Sequence, residues 1–190
     1  MKNIVLCMGL ILLCSCFGGY SPQSQFYSLK AENPLETIKS RNISVGVNEV
    51  ELPDYLNRVQ MVLIDGNSSQ IEISEEKRWV EPLSSMIQRV VAEDMANILP
   101  NAQVLAKTSL LENFGLIVDI QIVRFDIIKD SQVVLEAWWY IKNGDRVVLA
   151  KGKTSVSEKV DGGYGNYVNS LSDLLMKMSF DIAKKSCSLG

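Results

Sequence analysis

Asp119 and Glu136 are the two carboxylates whose placement invites an acid–base reading, because each sits inside an alternating apolar run that reads as a strand. Side by side on neighbouring strands they would form a proton-donor and proton-acceptor pair. That needs a register the sequence does not specify, and a solvated carboxylate on the outer face of a sheet is the commoner outcome. Gly162, Gly163 and Gly165 precede a helical pattern, yet no Lys-Ser or Lys-Thr follows, so they read as a flexible turn rather than a phosphate cradle. The chain has no histidine. Its absence removes Ser–His and Cys–His nucleophile pairs, His-based zinc sites and the commonest general base near neutral pH. No enzyme activity, cofactor or metal is expected. What remains is thiol chemistry at the four cysteines Cys7, Cys14, Cys16 and Cys187.

The thiol with a chemical task is Cys16. Lys2 is the only charge before it, Ile4 to Leu13 run apolar, and Cys14-Ser15 form a small-residue junction. This is the layout of a secretory signal, and it is too short for a membrane span of about 20 residues. The junction Leu13-Cys14-Ser15-Cys16 resembles the lipobox of bacterial lipoproteins, in which the cysteine sulfur takes diacylglycerol and cleavage exposes the cysteine amine. The sequence thus predicts a signal over residues 1–15, a mature chain starting at Cys16, and anchorage to a membrane through the N-terminal lipid. Two or more acyl chains would hold it stably. Cys7 and Cys14 leave with the signal, so Cys187 has no intramolecular partner; it is a buried tail residue, a free thiol or an intermolecular bridge, and with nothing nearby to activate it the first is the plainest reading. Loss of Lys2 leaves 18 basic against 22 acidic side chains, a net charge of about −4. Such a body shows no basic stripe for nucleic acid and no attraction to anionic lipid.

Behind a Gly/Ser/Pro-rich tether over residues 16–25, one domain is expected over residues 26–190. A first strand is read at Gln25–Leu29. A second over Asn42–Glu51 alternates Ile43, Val45 and Val47, and Pro53 ends it. Val59–Asp65 and Gln70–Ser74 flank Gly66-Asn67-Ser68-Ser69 as a hairpin. Glu81–Leu99 is helical, with Pro82 in its first turn and Leu83, Ile87, Val90, Val91, Met95 and Ile98 on one stripe. Phe114–Lys129 starts with Leu116, Val118, Ile120 and Ile122 on one face. The apolar phase then switches to Val123, Phe125 and Ile127, which signals a bulge or burial on both faces. Gln132–Lys142 and Arg146–Val160 follow around Asn143-Gly144-Asp145, and a helix from Gly165 to about Ser186 closes the chain. Two apolar helical stripes are buried most simply on one side of one sheet. The expected fold is a single α+β domain, its sheet mixed or mostly antiparallel, with both main helices packed on one face.

Several segments in order resemble the ABC-type transport auxiliary lipoproteins, the PqiC-like family. They are Phe26-Tyr27-Ser28-Leu29, then Leu52-Pro53-Asp54-Tyr55-Leu56-Asn57-Arg58-Val59-Gln60-Met61-Val62, then Arg78-Trp79-Val80-Glu81-Pro82-Leu83. Phe125 and Leu135-Glu136-Ala137-Trp138-Trp139 match the central strands, and Leu171-Ser172 with Ser179…Ile182-Ala183 match the last helix. Met178 departs mildly, since leucine is usual there. The resemblance covers nearly all of the mature chain, Gln25 to Ala183. It implies a non-enzymatic accessory lipoprotein of the outer membrane, facing the periplasm and serving MCE-domain proteins and their ABC transporters in lipid traffic. Phe17 after the lipidated cysteine leans the same way, because an Asp there would favour the inner membrane.

Candidate contact residues follow. Tyr55, Asn57 and Arg58 either dock a partner from a surface loop, or form a structural corner in which Tyr55 packs over the sheet edge and Arg58 pairs with a carboxylate. Trp79 and Glu81 read as packing and helix-end residues. On the strand after residue 132, Ala137, Trp139 and Ile141 share the core face, so Trp138 and Tyr140 share the other, which is either a contact for a second subunit or for lipid, or is covered by a loop. A ring of identical subunits would close such a head-to-tail contact. The competing reading is a stand-alone periplasmic module that binds lipid or envelope glycan in an apolar cavity.

Overall fold

The fold comes from a computed structural model that describes residues 23–40, 42–66, 68, 70–106 and 114–189. The signal segment, Cys16 and the tether up to residue 22 lie outside the described residues.

Strand β6 (Leu116–Ile128) is the axis. One of its edges takes β7 (Gln132–Asn143), which in turn takes β8 (Val148–Lys159), all antiparallel through short hairpins. The other edge is covered in stages by one advancing stretch of chain, always parallel to β6. First comes β2 (Ser44–Val47), with Val45 opposite Leu116 and Val47 opposite Val118. Then Glu51 bridges Gln121. After an excursion over residues 52–59, β3 (Gln60–Ile64) rejoins, with Leu63 opposite Ile127. Outside β2 lies β5 (Gln103–Ala106), parallel to it. Outside β3 lie β4 (Ile71–Trp79), antiparallel, and then β1 (Gln25–Tyr27), parallel to β4. The sheet is mixed, as expected, and its parallel part is the half that the hairpin signals do not report.

The phase switch in β6 is a bulge. Ile122 faces Ala137 and Arg124 faces Glu136, so Val123 is the extra residue and points out, 41% exposed. The bulge lets Leu116, Val118, Ile120 and Ile122 before it, and Phe125 and Ile127 after it, all face the core.

Helices α1 (Leu83–Ile98) and α2 (Tyr164–Cys187) pack on each other and on that one face, which gives a single α+β core. Their stripes are fully buried: Ile87, Val90, Val91, Met95 and Ile98 on α1, and Leu171, Leu174, Leu175, Met178 and Ile182 on α2. Pro82 stands one position before Leu83, and its carbonyl accepts the Met86 N–H at 3.0 Å, so it opens the helix without needing a donor of its own. Trp139 enters the core from β7 and lies flat over Gly152 of β8, where a Cβ would come within 2.2 Å of the indole. Only glycine allows that approach.

Candidate partner-binding face

The excursion over residues 52–59 is built from its own backbone. Pro53 stops the extended chain. The Leu56 N–H donates to the Pro53 carbonyl at 2.9 Å, closing a short 3-10 turn over Asp54–Leu56, and the Asn57 N–H donates to Asp54 at 3.2 Å. Leu56 is the apolar anchor, buried in the core, while Asn57 is exposed. Tyr55 leans on the sheet, and its hydroxyl donates to Asp126 Oδ1 at 2.7 Å. Burial, together with that carboxylate, pushes the phenol's pKa well above its ordinary value.

Asp126 is a charged residue with 3% exposure on the sheet face opposite the helices. It is tolerated because it is fully engaged: Arg124 Nε donates to its second oxygen at 2.7 Å. That contact, before all others, holds the guanidinium's pKa above its usual value. Arg124 also reaches Glu136 Oε1 at 3.3 Å, and Lys153 Nζ takes Glu136 Oε2 at 3.1 Å. Lys153, then Arg124, lower the Glu136 carboxyl. Lys153 finally stands 6.0 Å over the ring of Trp138. One polar relay therefore runs from the excursion to Trp138 across three strands: Tyr55, Asp126, Arg124, Glu136, Lys153.

Trp138 and Tyr140 share this outer face. Trp138 is 38% exposed, and Tyr140 is half-buried between Asp119 and Lys151 in register. The structure thus joins the excursion and the aromatic pair on one surface. Tyr55 also has the hydrogen bond that a structural corner requires. Arg58 is half-buried and its Nε is buried without a hydrogen-bond partner.

Other chemical candidates separate. Asp119 takes Asn48 and Lys142, whereas Glu136 stands four residues before Asp119's partner Tyr140 on β7, so the two carboxylates form no pair. Gly162 and Gly163 have positive φ, 39° and 85°, and make the turn into α2. Trp79 is buried, and Glu81 binds Arg89 at 2.8 Å. Cys187 is half-buried at the end of α2, with its sulfur 3.6 Å from the Lys39 carbonyl. A hollow of about 390 Å³ between the β3–β4 and β6–β7 turns is lined by Asp65, Gly66, Lys129, Asp130 and Ser131, groups that suit no acyl chain. Among the described residues no group of three or more Cys, Asp or Glu is arranged to hold a metal ion.

Sequence reasoning overlooked Asp126, Arg124 and Lys153 as a unit, and it overlooked Asp94. Asp94 is fully buried on α1; it accepts the Glu32 N–H at 3.0 Å and the Ser179 hydroxyl of α2 at 3.1 Å. Burial pushes its carboxyl up to about 7. The signal was present, because Val90, Asp94 and Ile98 recur at four-residue spacing on the apolar stripe.

A family model described as ABC-type transport auxiliary lipoprotein component matches residues 27–183. Among solved structures, that of an uncharacterized protein aligns at TM-score 0.71 and 20% identity, covering 86% of this chain and 98% of that one. A DUF330 protein of Xanthomonas campestris aligns at TM-score 0.64 and 10% identity, covering 86% of this chain and 95% of that one. At those identities the structures share the fold. No curated protein matches the sequence.

Proposed function

Because the chain belongs to the ABC-type transport auxiliary lipoprotein family, we propose that it is the outer-membrane-anchored, periplasm-facing docking subunit of an MCE/ABC intermembrane lipid transport system. The family supplies the transport context and a role as accessory component rather than enzyme. Anchorage follows from Cys16 carrying lipid. Docking follows from the outer face of the sheet, with Asn57 and Arg58 at one side and Trp138 and Tyr140 at the other.

The observation that carries the reading is the relay from Tyr55 to Lys153. It places a buried carboxylate, two cations and a second carboxylate on a surface over which, among the described residues, no helix packs. The relay holds an exposed tryptophan and an arginine in place on this face, and those are side chains enriched at interface centres. Identical subunits in a ring would repeat one weak contact and gain strength through multivalency.

The test keeps the relay intact, since removing Tyr55 would strand Asp126. Asn57→Asp with Arg58→Glu, and separately Trp138→Ala, are introduced into the full chain. Capture of the MCE-domain protein from detergent-solubilised envelopes is compared with the melting temperature. Lost capture with unchanged melting supports docking here. Normal capture by both variants refutes it.

A further inference from the structure

Residues 28–39 run from β1 across the seam between the two helices, and they are held there in an unusual way. The Leu29 N–H donates to Met86 Sδ of α1 at 3.0 Å. The Lys30 N–H donates to Ser172 Oγ of α2 at 3.3 Å. The Glu32 N–H donates to Asp94 Oδ1 at 3.0 Å, and Ser179 of α2 holds the other oxygen of that carboxylate. The Ile38 N–H donates to the Ile98 carbonyl at the end of α1 at 2.8 Å. Three successive attachments therefore use side-chain acceptors rather than a strand ladder. Packing is confined to a few points: between Gln25 and Ser40, Leu29 is the one buried residue, Tyr27 and Ile38 are half-buried against the core with Tyr27 5.9 Å from the Tyr164 ring, Phe26 is 63% exposed and Leu35 is fully exposed. β1 itself pairs over three residues at a sheet edge. Few buried apolar contacts and a short edge strand are the marks of a segment that opens well before the whole domain unfolds.

We propose that Gln25–Lys39 is a releasable strap, latched over the helix pair through Asp94, whose opening lengthens the link between the N-terminus and the domain. Free and extended, its fifteen residues would add roughly 50 Å of reach. On a chain anchored at Cys16 this would let the domain leave the membrane surface without losing its anchor. That consequence rests on the lipid-anchored reading above. The opening itself does not.

The latch is set by charge. With the strap closed, Asp94 is shut away from water and is held protonated up to about pH 7. With the strap open it meets solvent and reverts to an ordinary carboxylate. The closed form thus binds the proton more tightly, and rising pH favours opening. The surrounding charges push the same way. Glu93 flanks Asp94 on α1, Glu32 lies in the strap, and Asp173 of α2 faces Glu32, its own carboxyl raised by burial. Lys30 is the opposing cation, and it is paired with Glu32 at 3.2 Å. A protonated Asp94 still accepts the Glu32 N–H at its carbonyl oxygen, and an asparagine keeps that acceptor without a charge.

Amide hydrogen exchange on the full-length chain in detergent tests this. After correction for intrinsic exchange rates, protection at Leu29, Lys30 and Glu32 should fall about tenfold between pH 6 and pH 8, while β6 and β7 stay protected. Asp94→Asn should remove the pH dependence, with strap protection at every pH at or above that of the wild type at pH 6. If the wild-type profile is flat, if the strap amides exchange together with β6, or if a folded Asp94→Asn variant keeps the pH dependence, the latch is refuted. The wild-type profile decides even where the variant fails to fold. Failure of lipid anchoring would appear separately, in the mass of Cys16, and would leave these exchange results untouched.

Discussion

Gly152→Ala adds one methyl group and should still damage this fold. A Cβ at position 152 would meet Cζ2 of Trp139 at 2.2 Å and Cη2 at 2.5 Å, whereas ordinary contact begins at 3.4 Å. The indole must therefore retreat by more than about 1 Å into an interior already packed to crystal-like density. Such overpacking costs about 1–3 kcal/mol. Retreat also pulls Trp139 Nε1 from Thr154 Oγ1, 3.2 Å away, and Thr154 is itself bonded to Asp181 of α2 at 2.9 Å. Losing one buried hydrogen bond adds about 1 kcal/mol. The total is about 2–4 kcal/mol, a fall of roughly 5–15 °C in Tm for a chain of this size. Urea unfolding followed by near-ultraviolet circular dichroism measures it. The decisive form is a double-mutant cycle with Trp139→Leu, which leaves a cavity but removes the clash. In that background Gly152→Ala should be nearly neutral, giving a coupling of about 2–4 kcal/mol. Additive effects, or a Gly152→Ala variant with unchanged midpoint, would show that Trp139 does not lie over Gly152.

Leu174→Asp puts an unpaired charge at a position with 0% exposure and should abolish cooperative unfolding, as a thermal scan would show; a normal Tm would refute the packing assigned to α2. Tyr55→Phe removes one donor from buried Asp126 and should cost about 1–2 kcal/mol in urea midpoint, against no measurable change for Asn57→Ala, whose side chain is exposed. Cys16→Ser should leave the precursor unacylated, and intact mass of the wild-type protein should carry the lipid increment that the variant lacks.

Both helices and the β6–β7–β8 meander were legible because their information is local: apolar stripes at helical spacing, alternation, and turn residues between them. The β6 bulge was legible too, since an extra residue shifts the apolar phase from Ile122 to Phe125. The rest was written in pairing. β4 runs on to Trp79 through Glu75, Glu76, Lys77 and Arg78, a charged run that reads as the end of a strand. β5 has four residues, too few for a period to show. The parallel march of β2, Glu51 and β3 along β6 depends on contacts some 60–70 residues apart, which no local pattern encodes. The same holds for the candidate face. Alternation placed Trp138 and Tyr140 together, and a proline marked the Tyr55 excursion. Only the register joins them, through Asp126 and Arg124, two charges that in sequence look like ordinary solvated residues of a strand.

Site-specific photo-crosslinking in the native envelope tests the docking face most directly. A crosslinking residue is placed at Asn57, at Trp138, and at exposed Lys184 on α2 as the control on the opposite side. Docking on the outer face of the sheet should give adducts to an MCE-domain protein from positions 57 and 138 and none from 184. Adducts from 184 alone would contradict it, because the partner would then sit on the helices and not on the ordered face of the sheet.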